Sequence, residues 1–145
     1  MWLILGCALH VTRTGLVERP EAGVVHLVEP GGERVALTLG AEGESLRYLY
    51  GTVVAIDGSR VGGRLRVRDW YVVDAGDGSS GWVGTLRVTG LRVLINDRNT
   101  RRTYVVDDQN SAPLRAYGGR QVLLLGHLSG PETVTPVAWR LLEPE

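Results

Sequence analysis

Two stretches of this chain carry the same strand-like signature around a tryptophan. Asp69-Trp70-Tyr71-Val72-Val73-Asp74 lies near the middle, and Ala138-Trp139-Arg140-Leu141-Leu142-Glu143 lies at the end. Upstream of each is an apolar run broken by one glycine: Leu49-Tyr50-Gly51-Thr52-Val53-Val54, and Leu124-Leu125-Gly126-His127-Leu128. An internal repeat constrains the fold more than any single residue, because each copy must be one self-similar unit of secondary structure. Gly15 with Gly90 and Gly51 with Gly126 share one spacing, which sets the expected register between the copies. The implied division is an apolar N-terminal segment at 1–10, a first unit at 11–74, a Gly/Ser-rich linker at 75–84 and a second unit at 85–145. Units this small sit near the lower limit for an independent core, so the two are expected to pack against each other.

Valine, leucine and glycine dominate, a bias toward strands and tight turns. The first unit reads as a strand at Val11–Glu18 with Gly15 inside it, then a hairpin of Val24–Val28 and Arg34–Leu39 around Glu29-Pro30-Gly31-Gly32. An interior glycine marks a bulge or a sharp coil of the strand. Gly40–Leu49 reads as one or two helical turns, followed by a strand from Tyr50 to Ile56, a turn at Asp57-Gly58-Ser59 and a last strand from Arg64 to Asp74. The second unit repeats this order with strands at Thr85–Gly90, Leu91–Asn96 and Thr103–Asp107. A short helix follows at Ser111–Gly119, capped by Ser111, and then strands at Gln121–Leu128 and Thr133–Leu142.

Three strands, a short helix and two strands, with a coiled first strand, is the order of the OB-fold, a five-stranded Greek-key barrel. Residues 11–143 resemble two such barrels in tandem, and the Gly-x-Val, hairpin, Trp periodicity is similar to that of short OB-like domains of uncharacterised bacterial envelope proteins. The resemblance implies an all-β fold of two tandem OB-like barrels, each with one short helix between strands 3 and 4. It implies binding of a small ligand or a partner rather than catalysis.

Formal net charge is zero, which removes the global attraction expected of a dedicated nucleic-acid binder. All 16 basic residues are arginine, and residues 57–120 carry eleven of them against seven acids. A planar, permanently charged guanidinium suits bidentate contacts to carboxylate or phosphate. GC-rich codon usage also produces a chain without lysine, and that reading takes precedence. A single cysteine excludes an intramolecular disulfide and a cysteine-based zinc cluster. Ile4-Leu5-Gly6-Cys7 resembles a bacterial lipobox, which would make Cys7 a lipidation site. Leu5 is bulky for that motif, no basic region precedes it and the apolar stretch is short. A buried first strand over Trp2–Val11 is the preferred alternative.

Candidate ligand-binding residues fall in two groups. Arg64, Arg66 and Arg68 alternate with Leu65 and Val67, so a strand places the three guanidiniums on one face. That face could meet a phosphate chain, an acidic glycan or an acidic partner, although a merely solvated face is the simpler reading. The second unit has Thr133-Val134-Thr135-Pro136-Val137 here, so the ladder belongs to one copy. Arg98, Arg101, Arg102 and Tyr104 lie in and beside the second hairpin, where an oligonucleotide-binding barrel carries basic and stacking side chains. The alternation of Tyr104 with Val105 is also compatible with an inward direction.

Trp70 and Trp139 recur in both copies and read as plugs of the two barrels. Trp82, beside the linker, reads as packing between the units. His10, His26 and His127 share no metal-ligand spacing, and the Asp/Asn-rich turns lack a closing glutamate, so no metal and no cofactor are expected. No nucleophile elbow, phosphate-binding glycine loop or zincin motif occurs, so no enzyme activity is expected. The expected role is a non-catalytic binding or structural module in a bacterial envelope or secreted setting, with the cytoplasm as the alternative. Its partner would be a protein or a small polar or anionic ligand, and membrane contact would run only through a lipid on Cys7. The rivals are a single-stranded nucleic-acid or polyanion binder using the central arginines, and an accessory subunit of a larger assembly.

Overall fold

A computed structural model describes residues 10–75 and 80–143. They form two closed five-stranded barrels in tandem with the expected OB-like order. The first contains β1 (His10–Val17), β2 (His26–Val28), β3 (Arg34–Thr38), β4 (Val53–Val61) and β5 (Arg64–Asp74), arranged β1-β2-β3-β5-β4. The second contains β6 (Ser80–Thr89), β7 (Arg92–Asp97), β8 (Thr103–Val106), β9 (Gln121–Gly130) and β10 (Thr133–Leu141), arranged in the corresponding order. In each barrel every pair is antiparallel except the third strand with the fifth, which run parallel. The Cys7 segment and residues 76–79 of the expected linker lie outside the described residues.

The repeat is real, but its register differs from the glycine spacing expected above. The interval from Trp70 to Trp139 also separates Gly15 from Gly84, not from Gly90. Both of these strand glycines permit a close approach of backbones: a Cβ on Gly15 would collide with the carbonyl of Val28, and one on Gly84 with that of Asn96. Gly90 instead occupies the β6–β7 turn at φ +63° with open space around it. The partner of Gly51 is Gly119. Gly51 N–H donates to Val17 and Val17 N–H to Thr52, while Gly119 N–H donates to Leu86 and Leu86 N–H to Arg120. Leu37 pairs with Leu65 across the parallel junction of the first barrel, and Val106 with Val134 across that of the second.

β4 runs straight through Asp57-Gly58-Ser59, which the sequence reading made a turn; the reversal comes at Gly62-Gly63, both at positive φ. Gly58 is a strand glycine, since a Cβ there would meet the carbonyl of Arg66. Its counterpart Gly126 lies in the same way against the carbonyl of Thr135. β6 begins at Ser80 rather than Thr85, inside the segment read as linker.

Between β3 and β4 the chain makes one short α-helix, α1 (Gly40–Gly43), continued as a 3-10 turn at Glu44–Tyr48. In the second barrel the expected short helix takes the form of 3-10 turns at Asp108–Asn110 and Ala112–Tyr117. Pro113 removes a backbone donor early in that segment. The Asp107 carboxylate, not Ser111, caps its start by accepting from Gln109 N–H, and Ser111 Oγ donates to the Asp108 carbonyl. Leu46 and Leu114 take the same place in the two segments, and both are fully buried as plugs under the barrels. Burying a leucine side chain of this kind stabilises by about 2 kcal/mol.

The cores are joined. Val83 and Leu123, from β6 and β9, and Leu142, just past β10, pack into the core cluster of the first barrel, while their neighbours Trp82 and Leu124 point into the second. Strand alternation explains a correction: Trp82 does not pack between the units but lies inside the second barrel, with its ring 6.2 Å from Tyr104. The residue one step along, Val83, makes the junction instead.

Candidate functional site

The arginine ladder sits where period-two alternation puts it. Leu65 and Val67 are buried in the first core, while Arg64, Arg66 and Arg68 are exposed on the outer face of β5. A bulge follows, since Gly58 pairs with Val67 and Asp57 with Asp69, leaving Arg68 as the extra residue. A bulge shifts the alternation by one, so Trp70 and Val72 take over the inward positions from Leu65 and Val67. The outer face of β5 therefore presents Arg64, Arg66, Arg68 and Asp69 in succession, with guanidiniums on alternate residues about 7 Å apart along the strand.

The ladder lines two adjoining clefts that share Gly40. The larger, about 670 Å³, lies among Arg66, Arg68, Ser59 and the Gly40–Glu42 turn. The smaller, about 290 Å³, includes Arg64, Arg47 and Gly23. One wall is fixed from inside the barrel, because the Trp70 indole N–H donates to the Glu42 carbonyl at 2.8 Å. Another is fixed by Arg47, which pairs with Glu44 and donates to the Gly23 carbonyl at 2.9 Å. The guanidiniums of Arg64, Arg66 and Arg68, with that of Arg60 beyond the hairpin, make no ion pair or hydrogen bond with the described residues.

The second group is placed differently. Arg98 Nη2 donates to Asp69 Oδ1 at 2.7 Å and its Nε to the Trp70 carbonyl at 3.1 Å, with the guanidinium 4.4 Å from the centre of the Trp70 ring. Arg101 reaches the other oxygen of Asp69 at 3.4 Å. Between them Asn99 takes the place of a neighbouring strand: its carbonyl accepts from Val72 N–H and its amide donates to the Val72 carbonyl. The hairpin tip is thus a clasp that satisfies an open backbone edge of β5. Arg102 is exposed, and Tyr104 is buried at 6% exposure, directed inward. Both groups converge on β5, but Arg98 and Arg101 meet it as joints between the barrels, and Tyr104 offers no surface for stacking.

Asp97 secures the clasp from below. Its buried carboxylate accepts from the backbone N–H groups of Val83 and Thr100 and from the Thr100 hydroxyl. Hydrogen bonds to an ionised acceptor are about twice as strong as neutral ones. This residue was legible in Asn96-Asp97-Arg98-Asn99 only as a generic turn former.

The sequence reading also passed over a cluster at the seam of the barrels. Tyr48 and Tyr50 from the first barrel meet Tyr117, Trp139 and Arg140 from the second around a cavity of about 490 Å³. Trp139 is half-buried, unlike Trp70 at 3% exposure, so its reading as a plug holds less fully. The one sequence signal was Tyr48-Leu49-Tyr50, the only tyrosines close together in sequence, whose spacing puts both rings on the side opposite the buried Leu49.

Among the described residues no group of three or more His, Cys, Asp or Glu side chains converges as a metal site would require. No protein-family model matches the chain, and no curated protein matches it in sequence.

Proposed function

We propose that this chain is a non-catalytic binding module that holds an extended polyanion along the outer face of β5. The observation that carries the reading is the row formed by Arg64, Arg66 and Arg68, which line adjoining clefts and make no ion pair with the described residues, although Glu42 and Glu44 line the same clefts. Several other arginines are engaged: Arg13 with Glu29, Arg34 with Glu18 and Glu21, Arg98 and Arg101 with Asp69, Arg120 with Glu143. The exposed Arg87, Arg92 and Arg102 make no ion pair with the described residues but stand in no such row. Leaving neighbouring like charges uncompensated on one strand is unfavourable by itself and favours an external anion. A row of planar, bidentate guanidiniums with regular spacing suits a ligand that carries its charges in series. No aromatic ring lines either cleft, so charge rather than base stacking drives the contact, which favours an acidic glycan over single-stranded nucleic acid.

Heparin serves as the probe polyanion, with single-stranded DNA as the competitor. The wild-type chain should bind heparin at low ionic strength and release it as salt rises. R64Q/R66Q/R68Q should lower affinity roughly tenfold or more. R87Q/R92Q, which removes exposed arginines of the second barrel, should leave binding unchanged. Equal loss in both variants would reduce the effect to net charge, and no retention of the wild-type chain would end the proposal.

A further inference from the structure

The seam cavity contains a cation without a counter-ion. Arg140 Nη1 donates to the carbonyls of Tyr48 and Tyr50, each at 2.9 Å. Its guanidinium lies 4.8 Å from the centre of the Tyr50 ring, and that of Arg19 lies 4.5 Å from the same ring. The carboxylate in the cavity, Glu143, pairs with another arginine: its Oε1 stands 3.2 Å from Arg120 Nε and also accepts the Gln121 backbone N–H. Neutral carbonyls orient the Arg140 guanidinium but do not neutralise it. Its Nε and Nη2 make no hydrogen bond with the described residues. A partly buried guanidinium held this way is a preset anion acceptor, because its orientation is paid for before any ligand arrives.

Beside this cation stands an aromatic surface. The Trp139 ring is half-buried and packs against Tyr117 at 5.0 Å with a 52° tilt. The hydroxyls of Tyr48, Tyr50 and Tyr117 have no hydrogen-bond partner among the described residues. About 490 Å³ lies within the range of small-molecule sites. Indole is the strongest stacking surface among side chains, and tyrosine hydroxyls supply polar contacts at a ring edge. The first barrel has no counterpart, since Tyr71 occupies the place of Arg140 and is exposed on the outside of β5.

We propose that the seam cavity binds a planar ring carrying an anionic group, with the ring against Trp139 and the anion on the free N–H edge of Arg140. A nucleoside monophosphate and an aromatic carboxylate share this chemistry. The site stands apart from the β5 face, since none of Arg64, Arg66 and Arg68 lines the cavity.

The test titrates the full chain with AMP, indole-3-acetate, adenosine and inorganic phosphate, following the indole N–H signal of each tryptophan by NMR. AMP or indole-3-acetate should shift the Trp139 signal saturably while the signals of Trp70 and Trp82 hold. Adenosine and phosphate alone should bind at least roughly fivefold more weakly, because each supplies half of the contact. A response to AMP only assigns a phosphate-bearing base, and one to indole-3-acetate only assigns a carboxylate. R140Q, which keeps an amide donor for the two carbonyls, should weaken binding by a similar factor, and R64Q/R66Q/R68Q should not. W139L is the second variant, should R140Q fail to fold; it lacks the reporting indole, so its binding is read from broadening of the ligand's own NMR signals. No saturable shift at Trp139 with either anionic ring compound overturns the proposal, as does full binding by folded R140Q or W139L.

Discussion

β5 and β10 occupy the same place in the two barrels and share two devices. Each pairs in parallel with the third strand at one end, and each carries one bulge before its tryptophan, at Arg68 in β5 and Val137 in β10. Outside those devices they diverge. β5 exposes three unpaired guanidiniums, then buries Trp70 at 3% exposure and offers its far edge to the Arg98–Asn99 clasp. β10 half-buries Thr133 and Thr135, exposes Val137, leaves Trp139 half-buried and sends Arg140 back to the first barrel. What duplication preserves is therefore the backbone solution, the bulge and the strand glycines that let chains approach. What it frees is the outer face, because side chains there do not affect closure of the barrel.

The sharpest way to break this comparison is at the strand glycines. Gly84→Ala drives a Cβ into the Asn96 carbonyl and should cost about 3–5 kcal/mol, read from urea unfolding. Gly15→Ala meets the Val28 carbonyl and should cost a similar amount. Gly90→Ala finds open space and carries only the strain of a positive φ, about 1 kcal/mol. If Gly90→Ala proved as damaging as Gly15→Ala, the register of the repeat would have to be redrawn.

A smaller asymmetry is expected at the tryptophans. Trp70→Ala empties a buried site and removes the bond to Glu42, so a loss of about 3–5 kcal/mol follows. Trp139→Ala should cost about 1–2 kcal/mol, because its ring keeps solvent contact in the unperturbed protein. Equal losses would mean that Trp139 is as fully a plug as Trp70. Smaller again is the clasp: Arg98→Ala should cost about 1–2 kcal/mol. A double-mutant cycle with Asp69→Ala should give a coupling of about 1 kcal/mol. Zero coupling would show that the ion pair adds nothing to the joint.

The strand order and the outward ladder were legible because both follow from alternation and turn chemistry, which a sequence states directly. Three features were not. A glycine that relieves a backbone collision and one that supports a left-handed turn are the same letter, so Gly15 was matched with Gly90 rather than Gly84. The same ambiguity made Asp57-Gly58-Ser59 look like a turn. Which of two neighbouring apolar residues faces a second core depends on barrel placement, and Trp82 was assigned the seam that Val83 occupies. Arg98 and Arg101 read as ligand chemistry because a hairpin tip does not announce that another barrel will cover it. The seam cavity has no local motif at all, since its side chains come from segments far apart in the chain and converge only when the barrels pack.

The finest test exchanges the residues at the shared bulge. Arg68→Val and Val137→Arg swap side chains that both point to solvent, Val137 at 79% exposure, so each should change stability by less than about 0.5 kcal/mol. The urea midpoints of both variants would then coincide with that of the unmodified chain. Affinity for heparin should move in one of them only. Arg68→Val removes one guanidinium from a row of three and should weaken binding, whereas Val137→Arg places a lone charge on a face of threonines with no cleft aligned to it. A destabilised Val137→Arg would mean that the second bulge buries its extra residue, and the outer faces of the two barrels would not be free to diverge. A gain of heparin affinity in Val137→Arg equal to the loss in Arg68→Val would mean that charge count, rather than the row along β5, governs attraction.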